Sequence, residues 1–134
     1  MNKTPSKLEL RGGRVDVEAR HVTTLIAEIF NRLGCPEDHS TAIAEHLVDA
    51  NLCGMESHGV MRVMQYAERM RSGEMKIDVR PEVRKTETGA TVVDGFMGSG
   101  IPVMALAYDT AIAQTGQNGL GAVSVLNTGH TGRH

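Results

Sequence analysis

Met55-Glu56-Ser57-His58-Gly59-Val60-Met61-Arg62 puts a histidine and an arginine four positions apart, at a point where the apolar spacing of the chain turns helical. Residues at i and i+4 share one face of a helix. Ser57 suits an N-cap, and a helix start carries unpaired N–H groups and partial positive charge. The stretch therefore predicts a small carboxylate site with a titratable imidazole beside it. A second histidine stands far along the chain, in Gly129-His130-Thr131-Gly132.

Upstream of this stretch the pattern is helical. Val22, Leu25, Ile26, Ile29, Phe30 and Leu33 form one amphipathic stripe. Gly34 is a natural residue just past a helix end, Pro36 suits a first turn, and Glu37 and Asp38 place negative charge at the next helix start. That second helix directs Ile43, Leu47 and Ala50 inward. A third carries Val60, Val63, Met64, Ala67 and Met70 and stops at Ser72-Gly73. The expected spans are about 17–33, 36–52 and 58–71, packed as a small bundle.

Downstream the signals change. Val79 to Thr86 and Ala90 to Asp94 read as short strands joined by a turn at Glu87-Thr88-Gly89. Gly95 to Gly100 reads as a glycine-rich loop. Pro102 opens a helix to about Thr115, with Val103, Leu106, Ala107 and Ile112 available for packing, and Leu120 to Leu126 reads as a buried strand. Strand, helix and strand at this spacing imply a βαβ crossover. The expected divisions are a flexible N-terminus (1–14), a helical domain (15–76) and the start of a mixed α/β domain (77–134). The chain stops soon after the strand, and one parallel pair makes a poor sheet. The expectation is the N-terminal portion of a longer polypeptide, with a complete small domain and a frayed tail as runner-up.

Composition narrows the function classes. The chain has 134 residues, 40% hydrophobic and 22% charged, which fits a globular protein. A net charge of −2, with 3% aromatic residues and no Trp, argues against nucleic acid and anionic membranes as partners. No apolar run approaches the roughly 20 residues that span a bilayer, and residues 1–14 lack the core of a signal peptide, so the expected location is the cytoplasm. Cys35 and Cys53, without metal-ligand spacing, read as reduced packing residues. His130 and His134 stand at i and i+4 without an acidic ligand, so no metal is expected. The 95–100 loop lacks the lysine of a P-loop and the glycine spacing of a dinucleotide fingerprint. His39 and His46 read as surface or core-edge residues, and the methionines as core filler.

These residues resemble the malate/L-lactate dehydrogenase family of the type that lacks a Rossmann fold. The resemblance rests on Ala50, Asn51, Gly54, Ser57, His58, Gly59, Arg62 and Tyr66, then Arg69 and Gly73. It continues through Val93-Asp94-Gly95, Gly98, Gly100, Ala105, Ala107, Ala111, Gly121, Val125, His130 and Gly132. It covers the chain from about Val15 onward. It implies an α+β or α/β chain, with a three-helix bundle followed by an incomplete strand–helix–strand unit of a non-Rossmann dehydrogenase fold. It further implies hydride transfer between NAD or NADP and a 2-oxo acid or cyclic imino acid. By resemblance His130 is the proton donor or acceptor, and Ser57, His58 and Arg62 line the substrate pocket with the arginine on the carboxylate. Residues contacting the cofactor are not assigned. A homodimer is implied. A lysine that follows the H-x-G element in the family falls past His134, so this chain alone is expected to be inactive. Glu56 stands where Asp or His is usual, and Ile101-Pro102 where a polar and a small residue are usual. The alternative is a non-catalytic helical interaction module with a small α/β appendage.

Overall fold

The computed structural model describes residues 15–133. The expected flexible N-terminus, 1–14, lies outside the described residues, as does His134. The elements are α1 (Ala19–Arg32), α2 (Glu37–Leu52), two 3-10 turns (Glu56–His58 and Val60–Arg62), α3 (Val63–Arg71), β1 (Glu82–Lys85), β2 (Thr91–Gly98), α4 (Gly100–Asn118) and β3 (Val123–Thr128).

Local chemistry explains the helical half. The apolar stripe of α1 buries Ile26 and Phe30. Gly34 adopts φ +94°, which closes the helix end with its N–H on the Asn31 carbonyl. Glu37 and Asp38 occupy the first turn of α2, while Ile43, Leu47 and Ala50 are wholly buried. Val63, Tyr66, Ala67 and Met70 of α3 complete the core. The Phe30 and Tyr66 rings meet at 6.4 Å. Burying one such side chain stabilises a fold by roughly 1.5–3 kcal/mol.

Helical spacing locates an apolar stripe but not how much of it is covered. Leu25 is 53% exposed, Met64 71% and Ile112 68%, against expectation. Met70 and Met75 fill the core, whereas Met55, Met61 and Met97 are exposed.

The sheet has the order β1-β2-β3. β1 pairs antiparallel with β2 through the expected turn, and β2 pairs parallel with β3 across α4. Val93, Val103 and Ala107 are buried together, with Val123 and Val125 packed against them. β3 begins and ends later than expected, and it is not buried. Its residues alternate between partly covered and exposed, because it lies at a sheet edge and α4 covers one face. The glycine-rich segment is also corrected. Residues 95–98 belong to β2, whose pairing with β3 resumes at Gly98↔Thr128 after a register shift. Phe96 and Met97 take φ of 49° and 65° there. Side-chain Cβ atoms at Gly95 and Gly98 would lie 2.8 Å from Val103 and Val79, so close packing explains both glycines.

Candidate active site

The segment 55–62 does not start a helix in the expected way. Gly59 has φ −100° and ψ −148°, which separates the two 3-10 turns, and α3 begins only at Val63. The idea of one helical face bearing His58 and Arg62 is therefore corrected. Ser57 caps nothing; its Oγ lies 2.9 Å from His58 Nδ1. The donor that needed satisfying, Val60 N–H, binds Asn51 Oδ1 of α2 at 2.7 Å. That acceptor sits nine residues upstream, so it leaves no trace in the local spacing.

Contact among the residues survives through a different route. Arg62 Nε donates to the Ser57 carbonyl at 2.6 Å, and its Nη1 donates to Gln65 Oε1 at 2.8 Å. Ser57 thus touches both His58 and Arg62. His130 follows β3 and reaches the same place: the His58 and His130 rings lie 5.2 Å apart, tilted by 37°. Ser57, His58 and His130 are all half-buried.

His130 is held from several sides. Tyr66 Oη of α3 lies 2.7 Å from His130 Nδ1, and Gly132 N–H donates to the same nitrogen at 3.2 Å. Gly129 N–H donates to the Gly98 carbonyl at 3.2 Å. Arg133 N–H donates to His46 Nε2 at 2.8 Å, and the Arg133 side chain pairs with Asp49. His46, read from sequence as a bystander, thus secures the segment that carries His130. Burial pushes the Tyr66 phenol up, against the opposing charges of Arg62 and Arg69. Tyr66 and His46 carried no local signal because their partners are 64 and 87 residues away.

The arrangement offers an imidazole pair, a guanidinium and a buried phenol. Such a set can grip a carboxylate and move a proton at an adjacent oxygen. Among the described residues no group of three His, Cys, Asp or Glu side chains could hold a metal. None of their helices is long and apolar enough to cross a membrane.

Residues 17–134 match the model of the malate/L-lactate dehydrogenase family. The chain is 31% identical to malate dehydrogenase of Pyrococcus abyssi over 109 residues, 81% of this chain and 30% of that protein. It is 33% identical to L-sulfolactate dehydrogenase of Methanocaldococcus jannaschii over 110 residues, 81% of this chain and 31% of that protein. The solved malate dehydrogenase of Pyrococcus horikoshii superposes with a TM-score of 0.80 at 30% identity, covering 90% of this chain and 36% of that one. The chain thus spans about a third of the length of these relatives.

Proposed function

The chain belongs to the malate/L-lactate dehydrogenase family, and from that premise we propose that it forms the substrate and proton-transfer side of an oxidoreductase acting on 2-oxo acids or cyclic imino acids. The observation that carries the reading is the meeting of His58 and His130 at 5.2 Å, beside Ser57 and Arg62.

The roles follow from chemistry. Reduction of a carbonyl carbon leaves an alkoxide that needs a proton, and imidazole titrates in the right range. His130 is the proposed donor, and the acceptor in the reverse oxidation. Arg62 grips the substrate carboxylate with the donors not turned to Ser57 and Gln65, which orients the neighbouring carbonyl. Ser57 and His58 line the same pocket.

NAD or NADP supplies the hydride in this reading. The chain carries no recognisable dinucleotide fingerprint. The glycine-rich stretch at 95–98 is closely packed by Val79, Val103 and Thr128. The dinucleotide's contacts are assigned to other parts of the longer family proteins. A homodimer in the cytoplasm completes the proposal; Ile112, Leu120 and Leu126 are exposed apolar side chains available for it.

The helical interaction module is not favoured by a family match that runs through both halves of the chain. Oxidation of NADH and NADPH by the full-length protein, followed by absorbance, tests the proposal. Oxaloacetate, pyruvate, sulfopyruvate and a cyclic imino acid make the panel. Turnover of one of them, crippled by Arg62→Lys, is expected. No turnover across the panel, with either cofactor, overturns it.

A further inference from the structure

Tyr66 is the largest fully buried side chain among the described residues, at 1% exposed, yet its hydroxyl reaches His130 Nδ1 at 2.7 Å. The Gly132 N–H reaches the same nitrogen at 3.2 Å. An amide N–H only donates, whereas a phenol both donates and accepts. With both groups directed at Nδ1, neutral His130 carries its proton on Nε2. In the imidazolium, Nδ1 also carries a proton and needs an acceptor. The amide offers none; the phenol offers one by turning about its C–O bond.

We propose that Tyr66 is a positioning residue that serves His130 in both protonation states, as donor to the imidazole and as acceptor from the imidazolium. The inference rests on the proposed role of His130 in proton transfer. The surroundings make such an acceptor matter. His58 and Arg62 face the site from the 3-10 turns, and Arg69, paired with Glu74, faces Gly129 from α3. From α2, Asp49 is taken up by Arg133 and His46 by the Arg133 N–H. β2 and α4 bring the backbone of Gly98 and Gly100 against the segment. Arg62 and Arg69 place positive charge on this face, and the Tyr66 hydroxyl offers the imidazolium an acceptor there. Burial keeps the phenol protonated well past neutrality, so the hydroxyl is present throughout the range in which imidazole titrates.

Tyr66→Phe removes the hydroxyl and keeps the ring that packs on Phe30. The experiment is a pH titration of the full-length protein with 15N-labelled histidine rings, read by NMR. In the unsubstituted protein at alkaline pH, His130 is expected with its proton on Nε2. In Tyr66→Phe its pKa is expected to fall by about one unit, roughly tenfold in the protonation constant. The alkaline limb of 2-oxo acid reduction should move down with it. An unmoved His130 titration in a folded Tyr66→Phe protein overturns the proposal. So does an Nδ1-protonated His130 in the unsubstituted protein at alkaline pH, a reading that needs no variant. A shifted titration in a protein that reduces no 2-oxo acid supports the Tyr66–His130 partnership and overturns the catalytic reading instead.

Discussion

The Asp94 carboxylate accepts a hydrogen bond from the Asn127 side-chain amide at 3.0 Å, and this bond ties β2 to β3 where their register breaks. The same oxygen accepts the Phe96 N–H at 3.0 Å, and Arg84 pairs with the other at 3.2 Å. Phe96, Met97 and Asn127 are non-glycine residues with positive φ, and two of them, Phe96 and Asn127, donate to this one carboxylate. Such backbone persists only where its surroundings hold it. Asp94→Ala leaves the Asn127 amide and the Phe96 N–H without an acceptor. The melting midpoint, followed by circular dichroism, is expected to fall by roughly 5 °C or more. An unchanged melt would mean that glycine packing alone holds the bulge.

Asp38 at the start of α2 accepts two hydrogen bonds from Arg80, at 2.7 and 3.0 Å, and this holds its pKa at about 2 instead of 3.8. A folded pKa below the unfolded one stabilises the fold fully above about pH 3.8, and the contribution is lost as pH falls towards 2. Denaturation curves of the parent and Asp38→Asn should coincide near pH 2 and separate modestly above pH 4. The gap stays small because both partners are exposed, and it shrinks with added salt. A constant gap across this range would show that the pair is not the cause.

Gly100 opens α4 directly against the His130 segment. A Cβ there would lie 2.5 Å from the His130 carbonyl oxygen and 2.8 Å from that of Gly129. Backbone must shift to admit it. Gly100→Ala is expected to lower turnover about a hundredfold by displacing His130, while His58 and Arg62 stay in place. Unaltered kinetics in the full-length protein would show that the segment yields without moving its side chain.

His130→Ala in the full-length protein should lower kcat by roughly two to four orders of magnitude, the range for a general acid. Arg62→Ala should weaken binding of the 2-oxo acid and turnover together. Near-normal kcat at saturating substrate in His130→Ala would send the proton through another group.

Residues 1–134 alone should show little or no dehydrogenase activity and weak binding of NADH or NADPH, since the sequence carries no recognisable dinucleotide fingerprint. A fluorescence titration of the cofactor, alongside sedimentation for self-association, reads both. Tight binding by a monomer would mean that the cofactor site has been misassigned.

Sequence periodicity carried the helical half because its signals are local. Gly34 and Pro36 mark a boundary by their own backbone chemistry, and Ile43, Leu47 and Ala50 are buried as their spacing requires. What it missed depends on distant partners. The 3-10 turns at 56–62 exist because Asn51 accepts the Val60 N–H, and nothing between Ser57 and Arg62 encodes that. Gly95 and Gly98 read as a loop because glycine usually marks one. Here they permit close packing inside a strand. The pairing of His58 with His130 came from family register, since no period links positions that far apart.

The bond between Tyr66 and His130 spans 64 residues and that between His46 and Arg133 spans 87. Closing loops of that length costs entropy before any contact repays it. The helices can gather early, from neighbours close in sequence, whereas the imidazole pair waits for β3 to dock. Pulse-labelled amide exchange during refolding should protect α1 and α2 before Gly132. The site is then the latest structure to form, and a chain that stalls on the way would be compact, helical and chemically inert.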